Sequence, residues 1–319
     1  MEKLVAGIDL GGTKIQAVVL DRERVLGSAR AATPQEGADS VMAAVVEAVK
    51  TALHNAEASG SALAAVGIGT PGTIDLRGGV ANAPNLPGFE KPEPVPLAAG
   101  LSKRFGGIKV KVDNDVRVAV LGEWRRGAGR PFTDFLGVFV GTGVGGGLVL
   151  DGKIRHGLGA AGEIGHTTVK PGGRKCGCGR DGHLEAYAGR RMIEATARRW
   201  QGDGRKTKLF QIMKDKGRDR LTSGVIAKAL NKHDAVAQEL VDQAVWALGV
   251  ALSNAQNLLD VEAIIVGGGL GDRLGKPFID RVAEAAQPLL LVPERPPQFL
   301  PTQLGDLSGA VGAAVLAAP

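Results

Sequence analysis

The chain has 319 residues, 44% of them apolar and 23% charged, the composition of a globular protein of one large domain or two ordinary ones, which excludes a disordered chain. Its two cysteines exclude a disulfide framework and suit a reducing cytoplasm; the apolar opening at 4–10 is too short for a signal peptide and no apolar run reaches spanning length, so no membrane partner is expected. The net charge of +6 would admit a nucleic-acid partner, but its excess lies in residues 190–220, for example at Arg198-Arg199 and 206–208, with only Trp200 and Phe210 interleaved; a solvated helix and loop is preferred, and no nucleic-acid partner is expected.

Residues 4–9 read as a buried strand, Gly11, Gly12, Thr13 and Lys14 as a turn, 15–20 as a second strand and 25–29 as a third, so an antiparallel meander opens the chain. A helix is predicted over 39–55, capped by Asp39 or Ser40, with Val41, Val45, Val49 and Leu53 on one face and Val46 beside them. A strand over 64–69 ends in Thr70-Pro71-Gly72, and 82–89 (NAPNLPGF) forms an ordered loop. A short helix over 97–105 and a strand over 110–112 follow. Asp113, Asn114 and Asp115 lie at that strand's carboxyl end, and a helix over 116–126 continues from them. The segments 136–140 and 145–150 form a second hairpin. Helices are then predicted over 185–199, 221–230, 234–259 and 276–286, with a strand over 264–266 before Gly267, Gly268 and Gly269. A final alanine-rich helix over 307–318 packs back on the first half.

The opening repeats itself. With Gly11 laid on Gly141, Val19-Leu20-Asp21 falls on Val149-Leu150-Asp151, which suggests two related α/β halves facing each other; chance likeness of two apolar hairpins is the alternative. Three glycine turns follow buried strands, at Gly11-Gly12, at 141–147 and at 267–269. Glycine leaves backbone N–H groups accessible, and such groups cradle phosphates. Two turns from repeated hairpins would clamp a triphosphate from both sides. Asp9 ends the first strand, where the second hairpin has Phe139, so one half alone offers a carboxylate suited to hold Mg²⁺ through water; a solvated turn acid is the alternative. Neither a Walker A loop nor a dinucleotide fingerprint is present, because no GKS or GKT follows the glycines and the first turn leads into a strand.

The stretch 161–188 holds both cysteines, in the pattern His166-x9-Cys176-x-Cys178-x4-His183. Two thiolates and two imidazoles are the donor set of a closed tetrahedral zinc site, and the glycines around them let the backbone wrap a small ion. Reduced cysteines in a glycine-rich loop are the alternative; a disulfide across one intervening residue is disfavoured by its geometry. One carboxylate near an attacking hydroxyl is enough to take its proton in phosphoryl transfer, and Asp115 is placed for that, or for capping a helix. Asn114, Glu163, His166 and Glu185 are groups suited to the vicinal hydroxyls of a sugar.

Taken together, MEKLVAGIDLGGTKIQ, GIGTPG, NAPNLPGF, DND before a helix, FVGTGVGGG, GEIGHTTV, CGCGRDGHLEAYAG and IIVGGG resemble, in order and through nearly the whole chain, the ROK family of bacterial sugar kinases and sugar-responsive repressors. The resemblance implies the actin-like ATPase (RNase H-like) α/β fold, with two α/β domains and a cleft between them where ATP and sugar meet. The domains expected are residues 1–118 with 303–319, the smaller, and 119–302, the larger, with the zinc loop. It implies Asp115 as the base acting on the sugar 6-hydroxyl, Asn114, Glu163, His166 and Glu185 as sugar ligands with the Gly72 backbone close by, Gly11 to Lys14 and Gly141, Thr142 and Gly143 at the phosphates, and 267–269 at the adenosine. The family's zinc ligands are usually one histidine and three cysteines. Here His183 stands where the fourth cysteine would be, and a structural zinc on Cys₂His₂ is expected, holding His166 with one ring nitrogen on the metal and the other toward the sugar. Repressors of the family carry a helix-turn-helix domain in front, for which a first strand starting at Leu4 leaves no room. The expected activity is ATP plus glucose to glucose 6-phosphate plus ADP, on Mg-ATP, in a homodimer. Other hexoses or N-acetylhexosamines as acceptor, another phosphoryl donor, and a non-turning-over sugar sensor are the alternatives.

Overall fold

A computed structural model describes residues 3–22 and 24–318. In chain order the elements are β1 (Leu4–Leu10), β2 (Lys14–Leu20), β3 (Val25–Ala32), α1 (Ala38–Asn55), β4 (Leu63–Thr70), β5 (Thr73–Ile74), β6 (Val80–Ala81), α2 (Leu97–Arg104), β7 (Lys109–Asn114) and α3 (Asp115–Arg126). There follow β8 (Phe135–Val140), β9 (Val144–Leu150), β10 (Lys153–Ile154), α4 (Glu185–Ala188), α5 (Arg190–Gly202), α6 (Leu209–Asp215), α7 (Ser223–Leu230), α8 (Ala235–Leu259), β11 (Ala263–Gly267), α9 (Gly268–Ala286), β12 (Gln298–Pro301) and α10 (Ser308–Ala317). The chain forms two compact units. One is built from the chain up to Pro131 with His156–Gly159 and the stretch from Asp306 onward, the other from Phe132–Arg155 and Ala160–Gly305.

The first unit is a five-stranded sheet in the order β3-β2-β1-β4-β7. The antiparallel meander β1-β2-β3 is as expected, and β4 and β7 join it in parallel. Successive side chains of a strand point to opposite faces, and the two faces take different partners. Leu4, Ala6, Ile8 and Leu10 pack with Val41, Val45, Val49 and Leu53 of α1, a stripe at helical spacing. Toward the other face lie Gly7 and Gly67: a Cβ on Gly7 would come within 1.9 Å of Ala310 O, and one on Gly67 within 1.7 Å of Ala313 O. The alanine-rich α10 therefore lies directly on the backbone of β1 and β4, and no larger side chain fits between them. Its start is pinned by Ser308 Oγ, which donates to the buried Glu123 of α3 at 2.8 Å. The expected domain break after Val118 falls inside α3. That helix stays with the first unit because Gly122 and Gly312 let α3 and α10 touch backbone to backbone. The cap expected for α1 is also different: Gly37 takes the cap position without a side-chain bond, while Asp39 pairs with Arg104 at 2.8 Å.

The second unit repeats the sheet, in the order β10-β9-β8-β11-β12, with β8, β11 and β12 parallel and β9 and β10 antiparallel. The duplication read from the two hairpins thus extends to five strands in each unit. The residue match needs one correction. Val5 pairs with Leu20, whereas Phe135 pairs with Val149, so Leu20 corresponds to Val149 and not to Leu150. The second turn is one residue shorter: Gly11 N donates to Lys14 O, but Gly141 N donates to Gly143 O. A one-residue slip swaps the faces of a strand.

Helix α8 runs through the second core, its N-cap Asp234 accepting from Ala237 N at 2.8 Å. By length and composition it is apolar enough to cross a membrane, contrary to the expectation from the sequence, and it is mostly buried inside this unit. The helix expected over 185–199 is broken at Gly189, whose backbone is extended. Helix α9 starts at Gly268, earlier than expected, and is kinked at Gly275. Short α6 was not expected. The basic stretch is folded against its own unit: Arg198 pairs with Glu194 at 2.6 Å and Arg205 with Glu239 at 2.6 Å, and Arg205 lies over the Trp200 ring.

Candidate active site and metal centre

In the first unit, the candidate residues gather at the carboxyl ends of three adjacent parallel strands, where open α/β sheets bind ligands. Asp9 of β1 is level with Gly69 of β4, and Gly69 with Asp113 of β7, a row spanning about 10 Å at two strand spacings. The turn after Asp9 is closed by Gly11 N donating to Lys14 O, and Thr33 Oγ1 donates to Gly11 O at 2.6 Å. Gly12 is pressed against the 82–89 loop so closely that a Cβ would fall 1.7 Å from Asn85 O. Burial holds the Asp9 carboxyl above its ordinary range, while the charges of Lys14 and Arg30 oppose that and Asp306 adds to it. The first turn of α10 lies against the same carboxylate, since a Cβ on Gly309 would stand 3.0 Å from Asp9 Cγ.

Past β4 the chain turns at Gly72, whose φ of 99° favours glycine. Past β7, Asn114 caps α3, its Oδ1 accepting from Val116 N and Arg117 N at 3.1 Å each. Asp115 is therefore the first residue of the helix, with Oδ1 accepting from Val116 N at 2.9 Å. Its Cα lies beside β4, 3.4 Å from where a Cβ on Gly69 would be. Asp113, singled out only as part of the DND run, is structural. It accepts from buried Arg117 Nε at 2.8 Å, and its other oxygen lies 3.2 Å from His156 Nε2.

The second unit holds the other candidates. Glu163 caps a short 3₁₀ turn, Ile164–His166, of which His166 is the last residue. Glycine sets that turn on β9: a Cβ on Gly165 would fall 1.9 Å from Val144 O, and one on Gly162 2.8 Å from Gly146 O. Glu185 accepts from Val144 N at 3.0 Å, which ties it to the strand leaving the Gly141–Gly143 turn. That turn and Gly267, Gly268 and Gly269 are neighbours, since β8 and β11 are adjacent and parallel with Phe139 level with Gly267. Between them stands a residue that motif reading missed, Arg190. Its NH2 donates to Thr142 Oγ1 at 2.8 Å, and its backbone N donates to Gly141 O at 3.1 Å.

His166, Cys176, Cys178 and His183 do come together, with ligand atoms all within 4.8 Å of one another. Cys178 Sγ and His183 Nδ1 are 3.3 Å apart, and Cys176 Sγ and His166 Nδ1 4.0 Å. A tetrahedron at ordinary zinc–sulfur lengths has edges of about 3.8 Å, so the set fits zinc with small adjustments. The loop is held by backbone bonds, Cys176 N to Arg180 O at 2.8 Å and Gly182 N to Arg174 O at 2.8 Å. Burial pushes the Cys176 thiol up to about 11 and the His183 imidazole down, so each would be neutral with no cation present. His166 turns Nδ1 toward the cluster, which leaves Nε2 on the opposite side of its ring.

The ROK family model matches residues 5–319. The chain belongs to the ROK family. This ROK protein is 33% identical to a glucokinase of Streptomyces coelicolor, over 98% of this chain and 97% of that one. It is 31% identical to an N-acetyl-D-glucosamine kinase of Citrobacter koseri, over 97% and 98%. Among solved structures, a ROK family glucokinase from Streptomyces griseus in complex with glucose and AMPPNP matches with a TM-score of 0.83 at 35% identity, over 98% of this chain and 99% of that one. The fold is the actin-like ATPase fold of ROK sugar kinases, whose sheet each unit carries.

Proposed function

We propose that this chain is an ATP-dependent hexokinase that transfers the γ-phosphoryl group of ATP to the 6-hydroxyl of glucose. The observation that carries the reading is the placement of Asp115 at the start of α3, fixed by the Asn114 cap and set beside the end of β4. Phosphoryl transfer asks the protein mainly to position groups and stabilise charge. Asp115 takes the proton of the attacking hydroxyl. Asn114, Glu163, His166, Glu185 and the Gly72 backbone bind the sugar. Gly11, Gly12, Thr13, Lys14 and Gly141, Thr142, Gly143 hold the phosphates, and Gly267, Gly268 and Gly269 the adenosine. Mg²⁺, when bound, would neutralise charge on the β- and γ-phosphates, and Asp9 would hold it through water, with Lys14, Arg30 and the acid Asp306 as the other charged groups around this carboxylate. Zinc on His166, Cys176, Cys178 and His183 is structural and orients His166. The two free cysteines fit a reducing cytoplasm, and family membership supports a homodimer.

Glucose is preferred on the similarity to glucokinases. The N-acetyl-D-glucosamine kinase relative supports a second reading, an N-acetylhexosamine acceptor. Coupled ADP release with Mg-ATP is to be measured on glucose, mannose, fructose, N-acetylglucosamine and N-acetylmannosamine, with the highest kcat/KM expected for glucose. Absence of ADP release with every sugar overturns the kinase. Asp115→Asn is expected to lower kcat by at least about a hundredfold while glucose binding, followed by calorimetry, stays near wild type. A near-normal kcat would remove Asp115 from the role of base.

A further inference from the structure

The sequence motifs place no cation at the second glycine turn, but the fold supplies one. Helix α5 starts at Arg190, where the chain breaks at Gly189 and swings toward β8. The backbone N of Arg190 donates to Gly141 O and that of Arg191 to Thr142 O, each at 3.1 Å. The guanidinium then lies between the two glycine turns. NH2 donates to Thr142 Oγ1 at 2.8 Å on one side, and NH1 donates to Ser223 Oγ at 3.5 Å on the other. A Cβ on Gly269 would stand 3.4 Å from the same NH1. The turns themselves touch, because the Cβ position of Gly268 is 2.7 Å from Val140 N.

Among the described residues, the side-chain hydrogen-bond partners of Arg190 are two neutral hydroxyls, Thr142 Oγ1 and Ser223 Oγ. The nearest carboxylate on its own helix, Glu194, is engaged by Arg198 at 2.6 Å and accepts from Leu221 N at 2.8 Å. Burial disfavours the charged guanidinium, and only the Glu194 charge opposes that. A guanidinium has five N–H donors in a fork that matches phosphate oxygens. A half-buried cation with neutral partners, facing glycine turns, is completed by an anion.

We propose that Arg190 is a nucleotide-binding residue whose guanidinium meets the α-phosphate of the phosphoryl donor. The assignment rests on the kinase reading, in which the Gly141 turn takes the outer phosphates and the Gly268 turn the adenosine; the group joining those two is the α-phosphate. The test uses the full chain with Arg190→Gln and Arg190→Lys. ADP and adenosine binding are measured by calorimetry, and KM for ATP and for glucose by steady-state assay. For Arg190→Gln, ADP binding weakens and KM for ATP rises by about tenfold, the size of one charge-assisted hydrogen bond. Adenosine binding and KM for glucose stay unchanged, and Arg190→Lys recovers part of the loss. Unchanged ADP affinity overturns the proposal, as does an equal loss for adenosine, which would mean that Arg190 packs on the base. If Arg190→Gln fails to fold, the same two comparisons on Arg190→Lys decide, with an ADP loss absent for adenosine expected. A wild-type chain that binds no ADP and turns over no ATP sinks the kinase reading itself, an outcome distinct from an intact wild type with an indifferent variant.

Discussion

Asp9 sits at a cost. Its carboxyl is half-buried, and the loss of water around it outweighs the help of Lys14 and Arg30. The folded-state pKa therefore lies above the unfolded one. Between the two values the folded chain holds the proton and the unfolded chain does not, so this group makes stability fall as pH rises through that acid window. Asp9→Asn is expected to raise the Tm of the nucleotide-free protein at pH 8, with the gain shrinking as the pH is lowered through the acid range, and to lower kcat. A Tm gain independent of pH would separate Asp9 from this account. His183 is tested by metal content. Wild type is expected to carry about one zinc per chain, His183→Ala to carry much less, and His183→Cys to keep it, because a thiolate suits the same tetrahedron. Freshly purified, active protein free of zinc by atomic emission would remove the site. These residues were legible as chemistry because their types and short spacings reveal donors and charges. Arg190 was not, since its partner Thr142 is 48 residues away and nothing in its neighbourhood in the chain marks it.

Among elements, the strands and long helices were legible because their periodicity reports burial directly. What was not legible was where neighbouring backbones approach each other. Gly189 looked like one residue inside a helix over 185–199, yet the chain turns there so that Arg190 can bond Gly141. The shorter second hairpin was likewise hidden, because a glycine-rich run such as 141–147 accepts more than one register. Helix α10 shows the opposite case: its alanines and glycines announce close packing, and the structure says against what. A Cβ on Gly312 would fall 1.7 Å from Val118 O of α3. Neither backbone can yield without moving a helix, so Gly312→Ala is expected to destabilise by about 1–3 kcal/mol or more and to lower Tm by several degrees in a thermal melt. An unchanged melt would mean that α3 and α10 are less closely packed than described.

At the scale of the whole molecule, two units carry one sheet order, β3-β2-β1-β4-β7 and β10-β9-β8-β11-β12. Only the hairpins betrayed this in the sequence; the equivalence of β4 with β11 and of β7 with β12 lies in topology, because the segments between them differ in length and content. The same sheet carries different groups in each unit, the carboxylates Asp9 and Asp115 at the strand ends of one and two adjacent glycine turns with Arg190 in the other. The residues by themselves determined the local matters: which turns need glycine, which four side chains could hold a metal ion, which carboxylate stands at a helix start, and the family to which the ordered motifs belong. Tertiary structure alone decided the turn of Arg190 toward Thr142, the seat of α10 on Gly7 and Gly67, the membership of α3 and the offset of the second hairpin. For the first three the physical reason is common: each depends on contacts between groups far apart in the chain, where a few tenths of an ångström set the energy, and no local pattern of residue types records such a distance; the hairpin offset is local, and the glycine-rich run admits more than one register.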